Sequence, residues 1–171
     1  MYAFAYWIKG EVDPKKTEAE IENTAICYEK QLSGVTIDPV TGGRTYTYTA
    51  IFLEDKIGGR NDDGTDKGDG TPDAWQYKVT FKVVNGKWNN QTTADVVAYV
   101  TNKKDGNPCA KGTADSKATL DGVNIPGAGS QPNSGYKASG NWGDTTPSAT
   151  TVITKENTVF TYTYDQKSGG G

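Results

Sequence analysis

A short acidic segment carries most of the side chains that could hold a cation. Residues 62–73 contain five aspartates: Asp62, Asp63, Asp66, Asp69 and Asp73. Calcium prefers about six to eight oxygen ligands from carboxylates, carbonyls and waters. Glycines between the aspartates let backbone carbonyls join the set, and without a cation the carboxylates would repel one another. The composition therefore predicts a calcium clamp, to which Asn61, Glu54 and Asp55 could also contribute.

The spacing of these aspartates fits no EF-hand loop. When Gly70 is placed at the invariant glycine, Thr65 and Lys67 occupy the first and third ligand positions, and neither is a carboxylate. The alternative is a solvated linker, since residues 56–73 are rich in Gly, Asp and Lys and contain one Ile and one Pro.

Aromatic side chains offer a second kind of chemistry, which is stacking against a sugar ring or a partner protein. The tryptophans are Trp7, Trp75, Trp88 and Trp142. Trp7 and Trp142 close aromatic segments, so we expect them to plug the cores of small sheets. Trp88 follows a turn, and we expect it to be the most exposed ring. Trp88, together with Trp75, is therefore the predicted contact for a ligand.

Catalytic residues are scarce in the chain. It has no histidine, which removes the commonest general base and the usual zinc ligand. It has no Gly-x-Ser-x-Gly elbow, and the glycine-rich stretch at Gly127 lacks the lysine of a phosphate-binding loop. Cys27 and Cys109 are far apart in sequence, so they form no Cys-x-x-Cys pair, and their spacing does not decide whether they bond. The sequence predicts a protein that is not an enzyme.

Charge and hydropathy narrow the range of partners. The 171 residues carry a net charge of −3 and no dense basic patch, which argues against nucleic acid as a partner. No apolar run is long enough to cross a bilayer, so membrane insertion is not predicted. Residues 1–10 lack the basic start and apolar stretch of a signal peptide, and the tail after Lys167 reads as a linker. We expect the chain to be part of a longer protein.

Alternating side chains predict the strands that must position these residues. Aromatic or apolar residues alternate with threonine or lysine after a Gly42-Gly43 turn, again before an Asn85-Gly86 turn, and near the end of the chain. The predicted buried faces are Tyr46, Tyr48, Ala50 and Phe52; Tyr77, Val79, Phe81 and Val83; and Phe160, Tyr162 and Tyr164. With 11% aromatic and 34% hydrophobic residues, these strands predict thin, aromatic-lined cores.

One helix is predicted in the first half. Asp13-Pro14 is a typical helix start, and Thr17 with Glu20 has the capping-box spacing. The helix is expected over residues 14–23. Residues 24–32 either extend it or form a strand.

The two halves of the chain end alike. A segment that closes in Trp7 precedes the Tyr/Thr strand of residues 44–52, and a segment that closes in Trp142 precedes the Tyr/Thr strand of residues 159–165. Such an internal repeat indicates an array of small modules.

Residues 44–88 and 134–165 resemble the repeat modules of Gram-positive cell-surface proteins. The carrying stretches are "DGTPDAWQYKVTFKVVNGKW", "GYKASGNW…TVFTYTY" and "YAFAYW…RTYTYTAIF", the last of which resembles the latter part of an internalin-type B repeat of the Listeria–Bacteroides class. The resemblance implies small β-grasp-like modules that act as stalk or adhesive units outside the cell. The first module lacks the family's opening strand before Tyr2, and residues 14–34 look like an insertion.

Together these observations predict a mainly β chain with at most one short helix, in two small tandem β-grasp-like or Ig-like modules. The predicted ranges are 1–53 for the first module, 54–73 for an acidic linker, 74–167 for the second module and 168–171 for a tail. The predicted function is a non-catalytic stalk or adhesion repeat on a bacterial surface, with neighbouring modules as partners and a calcium-stiffened junction. The alternative is a module that binds a glycan or a host protein.

Overall fold

The structure is a computed structural model that describes residues 1–35 and 45–169. Within these residues the chain is mainly β, with one five-residue helix, α1 (Glu18–Glu22), and a 3-10 turn at Asp73–Trp75. The predicted class, mainly β with at most one short helix, is confirmed. The strands are β1 (Tyr2–Lys9), β2 (Ala25–Cys27), β3 (Tyr48–Glu54), β4 (Gly58–Arg60), β5 (Asp66–Gly68), β6 (Gln76–Val84), β7 (Gly86–Trp88), β8 (Val96–Thr101), β9 (Lys103–Lys104), β10 (Asn107–Pro108), β11 (Ala118–Thr119), β12 (Ala128–Pro132), β13 (Tyr136–Asn141), β14 (Val152–Ile153) and β15 (Asn157–Gln166).

Helix α1 is shorter than the sequence predicts. The capping box is present, because the Thr17 hydroxyl accepts from the Glu20 amide at 3.2 Å and the Glu20 carboxylate accepts from the Thr17 amide at 3.2 Å. The helix therefore begins only after Thr17, and residues 25–27 form β2 rather than extending it. The predicted Gly42-Gly43 turn lies outside the described residues. Within the described ranges, no helix has the length and apolar character needed to span a membrane.

The chain divides into two compact units. The first comprises Met1–Trp75 and Lys103–Ser116, and the second comprises Gln76–Asn102 and Lys117–Gly171. Residues 54–73, for which the sequence predicts a linker, thus belong to the first unit. They do so because their carboxylates bind their own backbone and because Trp75, just after them, lies in the core of that unit.

The first unit is built on an antiparallel sheet of order β2-β1-β3. Its buried core contains Ala5, Tyr6, Ile8, Trp75 and Ala110. Ile51 and Leu53 of β3 pack against this core. The prediction that Tyr48, Ala50 and Phe52 form the buried face of this strand is therefore wrong, and Phe52 is 57% exposed.

The second unit is built on a mixed sheet of order β13-β15-β6-β8. Its two central strands, β15 and β6, are parallel and pair continuously from Asn157↔Lys78 to Thr163↔Val84. The flanking strands β13 and β8 are antiparallel to them. The core on one face of this sheet contains Val79, Phe81, Trp88, Val100, Ala118, Leu120, Ile153, Phe160, Tyr162 and Tyr164. The alternation predicted for β6 and β15 is confirmed.

Candidate functional site

The acidic segment folds as a closed loop around the β4–β5 hairpin. Gly58, Gly59 and Arg60 pair with residues 66–68 of β5. The Asn61 amide donates to the Thr65 carbonyl at 2.8 Å, which closes the turn between the strands.

Asp55 holds one end of this loop. Its side chain is buried, with the residue 2% exposed, and its two carboxylate oxygens accept from the amides of Asp69 at 3.0 Å and Gly70 at 2.9 Å. A β-carbon on Gly68 would lie 2.6 Å from the Asp55 carboxyl carbon. Glycine at position 68 therefore makes room for the carboxylate.

Asp73 closes the loop in the opposite direction. Its carboxylate accepts from the amide of Lys56 at 3.0 Å and from the amide of Ile57 at 3.1 Å. Asp55, at the start of the loop, thus binds amides near its end, and Asp73, at the end, binds amides near its start. These are charge-assisted hydrogen bonds, which are about twice as strong as neutral ones. The reciprocal arrangement fixes residues 55–73 without any added group.

The other predicted aspartates are exposed. Asp63 accepts from the Thr65 amide at 3.0 Å and the Thr65 hydroxyl at 2.6 Å, and these hydrogen bonds lower the pKa of the Asp63 carboxyl. Asp69 accepts from the Thr71 amide at 2.9 Å. A carboxylate oxygen of Asp66 lies 3.6 Å from a guanidinium nitrogen of Arg60, and Asp62 is exposed in the turn.

These positions give the carboxylates a role other than metal binding. Among the described residues, no three Asp, Glu or Cys side chains converge on one point where a metal ion could sit. Asp55 and Asp73 already use their oxygens on backbone amides. The calcium clamp stays a prediction, and the loop has a stabilising arrangement that does not need it.

The expectation that Trp88 is the most exposed tryptophan ring is wrong, and its contact with a ligand stays a prediction. The residue is 1% exposed. Its indole nitrogen donates to the Ala94 carbonyl at 2.9 Å, and its ring stacks on Trp142 at 5.9 Å between centroids. The turn before Trp88 directs the ring into the core of the second unit rather than away from it.

Trp75, the other predicted contact, is also buried, at 3% exposure. It nevertheless forms part of the wall of an open cleft of about 810 Å³ in the first unit. Its indole nitrogen has no hydrogen-bond acceptor within the part of the chain that the structure describes. Other wall residues include Phe4, Cys27, Tyr28, Lys104, Asn107 and Cys109.

The cleft brings together side chains that the sequence leaves unconnected. Cys27 and Cys109 are both buried in its walls and are not joined by a disulfide. Tyr28 lies 6.0 Å from Trp75 and 5.9 Å from Tyr6 between ring centroids. Burial raises the pKa of Tyr28, and burial together with the charge of Glu22 raises the pKa of Tyr6. The surroundings of Tyr6 and Tyr28 therefore favour the uncharged form of both phenol groups.

The sequence reveals neither this cleft nor the parallel β6–β15 pair, because both depend on contacts between distant segments. From the sequence, Asp55 is only an additional possible ligand of calcium beside the acidic segment. No protein-family model, curated protein or solved structure matches the chain.

Proposed function

We propose that the chain is a force-bearing stalk segment of a bacterial cell-surface protein, outside the cell, with neighbouring modules as its partners. The observation that carries this proposal is the parallel pairing of the first and last strands of the second unit. The mixed sheet with this parallel centre also agrees with the β-grasp-like module that the sequence resemblance implies.

The parallel pair resists force applied along the chain. When the start of β6 and the end of β15 are pulled apart, the strands must slide past each other. The seven residue pairs then break together, at ~1 kcal/mol net each and within one residue rise of ~3.3 Å. The resisting force is about 2 kcal/mol per Å, or roughly 150 pN.

The same strands are weak when they are peeled from one end. Each pair then opens by itself and releases ~6.6 Å of chain for ~1 kcal/mol. This corresponds to ~0.15 kcal/mol per Å, or roughly 10 pN. A difference of about fifteenfold in unfolding force therefore follows from the direction of pulling, with no change in the free energy of unfolding.

The acidic loop fits a stalk because it keeps residues 55–73 from extending freely. Asp55 and Asp73 tie its two ends together through four backbone amides, those of Lys56, Ile57, Asp69 and Gly70. Calcium at Asp62, Asp63, Asp66, Asp69 and Asp73 would add further stiffness. A calorimetric titration tests calcium directly, because absence of heat and of a thermal shift at millimolar calcium would remove it from the proposal.

The stalk proposal is tested by pulling the second unit along two directions. Lys78, Lys155 and Lys167 are exposed and can each be replaced by cysteine as a handle, after Cys27 and Cys109 are changed to alanine. Handles at 78 and 167 shear the parallel pair, whereas handles at 78 and 155 peel it from one end. Equal unfolding forces in the two directions would remove the mechanical basis of the proposal.

The cleft in the first unit favours the second candidate function, which is binding of a glycan or a host protein. Its volume of about 810 Å³ suits a small ligand, and its walls combine the Tyr28 ring with polar groups such as Asn107. A glycan array tests it, with Tyr28→Ala as the disabling variant. Tyr2→Ala is the control, since Tyr2 is 71% exposed and lies outside the cleft walls. Binding that both variants retain would exclude the cleft.

A further inference from the structure

The first unit contains an antiparallel strand pair that is similar to one in the second unit. The β1–β3 and β13–β15 ladders both begin at a tyrosine, Tyr2 or Tyr136, and both shift register before a tryptophan, Trp7 or Trp142. The shift is one residue in the first ladder and two residues in the second. The matched pairs are Tyr2↔Glu54 and Tyr6↔Ile51 in the first unit, and Tyr136↔Gln166 and Asn141↔Thr163 in the second. In both units, the second pair lies three residues back along β3 or β15. Strand β3 is therefore the counterpart of β15.

The two counterparts differ in what lies on their other side. Strand β15 is central, because it pairs with β13 on one side and with β6 on the other. Strand β3 is an edge, since β1 is its only ladder partner in residues 1–35 and 45–169. Among the described residues, no strand of the first unit occupies the position that β6 fills in the second.

The backbone groups of this open edge can be identified from two hydrogen bonds. The Asp55 amide donates to the Met1 carbonyl at 3.0 Å, and the Gly10 amide donates to the Thr47 carbonyl at 2.7 Å. Odd-numbered residues of β3 therefore face β1, because successive residues of a strand point their amides to opposite sides. Tyr48, Ala50 and Phe52 direct their amide and carbonyl groups to the open edge.

The sheet face beside this edge is aromatic and partly exposed. Phe4 and Phe52 form a cross-strand pair at 5.9 Å between centroids, and Phe4 also contacts Trp7 at 6.0 Å. Tyr2 is 71% exposed and Phe52 is 57% exposed. The matching face of the second unit is its core, which residues of β6 help to fill. An unpaired edge beside an exposed aromatic face is a site for strand addition.

We propose that the open edge of β3 binds an extended strand in parallel orientation, patterned like Gln76–Val84 and supplied by a neighbouring module. The β15–β6 register sets the alignment, in which Phe81 pairs with Phe160 and Val83 pairs with Tyr162. By the equivalence of the ladders, the incoming phenylalanine lies opposite Tyr48 and the incoming valine opposite Ala50. Its apolar side chains cover the aromatic face, and its backbone satisfies the edge. This site is separate from the β6–β15 pair, so its failure leaves the stalk proposal untouched.

The test uses a fluorescent synthetic peptide with the sequence QYKVTFKVV, which is residues 76–84, added to the full chain. We expect saturable binding by fluorescence anisotropy and slower hydrogen exchange at the amides of Tyr48, Ala50 and Phe52. A control peptide with Val79, Phe81 and Val83 changed to serine is expected to bind at least tenfold more weakly.

Ala50→Pro is the disabling variant, because proline is tolerated where an edge amide faces solvent and it removes that donor. We expect binding at least tenfold weaker, with an unchanged melting temperature. Phe52→Ser leaves the backbone donors in place and is expected to weaken binding by removing part of the aromatic face. Absence of binding to the unmodified chain overturns the proposal, as does binding that Ala50→Pro leaves unchanged. Self-association of the chain through β3 in place of peptide binding would also overturn it, since the occupant would then be a second copy.

Discussion

Replacing Asp55 by alanine tests whether the acidic loop is held by carboxylate–amide bonds. The substitution leaves the amides of Asp69 and Gly70 without their acceptor, at a residue that is 2% exposed. An unpaired buried donor costs ~1–3 kcal/mol, so two cost ~2–6 kcal/mol. We expect a loss of ~3 kcal/mol in the local stability of the loop, in the lower half of that range. Residues 69 and 70 lie near the surface, so water can reach their amides after the change.

Local hydrogen exchange is the appropriate assay, since a chain of two units does not guarantee two-state unfolding. A loss of ~3 kcal/mol corresponds to exchange faster by roughly 150-fold at the amides of Asp69 and Gly70. Asp55→Asn keeps one acceptor oxygen and is expected to give a smaller effect. Asp62→Asn is the matched control, because Asp62 is exposed in the turn.

Two results would refute this reasoning. The first is unchanged exchange at residues 69 and 70 in Asp55→Ala. The second is an equal loss of protection in Asp62→Asn, which would mean that the exposed carboxylates hold the loop. Repeating the measurement with calcium separates the two explanations, because a calcium clamp makes the effect of Asp62→Asn depend on the cation.

Three further perturbations follow from the same contacts. Trp88→Ala is expected to destabilise the second unit by ~3–5 kcal/mol in urea unfolding, because a buried ring is lost; a change confined to ligand binding would contradict the burial of Trp88. Gly68→Ala is expected to cost ~1–3 kcal/mol, because the new β-carbon meets Asp55, whereas Gly169→Ala, where nothing lies nearby, is expected to cost nothing measurable by thermal unfolding. Burial raises the pKa of Tyr28. The stability that the uncharged Tyr28 side chain contributes is therefore complete below the ordinary tyrosine pKa of ~10 and is lost as pH rises above it. Tyr28→Phe is therefore expected to reduce the fall in urea midpoint between pH 8 and pH 11, and an unchanged fall would contradict this assignment.

The parts of the fold that the sequence predicts correctly are those with a local cause. The Thr17–Glu20 capping box depends on residues three apart, and it forms as predicted. The alternation of Phe160, Tyr162 and Tyr164 with threonines depends on the two-residue period of a strand, and these rings are buried.

The parts that it misses depend on which distant segment covers a strand. Tyr48, Ala50 and Phe52 alternate as clearly as the rings of β15, yet the first unit packs its core under Ile51 and Leu53. Local pattern identifies the two faces of a strand but not which one becomes covered.

The acidic loop shows the same limit for function. Aspartate and glycine in a short segment suit calcium binding and backbone capping equally well, because both need oxygen acceptors and a tightly folded chain. Only the geometry assigns Asp55 and Asp73 to the amides at the opposite ends of the loop. The signal that could have suggested this is the spacing of the two aspartates, which bracket the segment.

The unfolding force of the second unit in its two pulling directions tests the stalk account most directly. With handles at residues 78 and 167 we expect roughly 150 pN, and with handles at residues 78 and 155 roughly 10 pN, at equal melting temperatures. A shear force within about twofold of the peeling force would contradict the claim that the parallel pair of β6 and β15 carries the load.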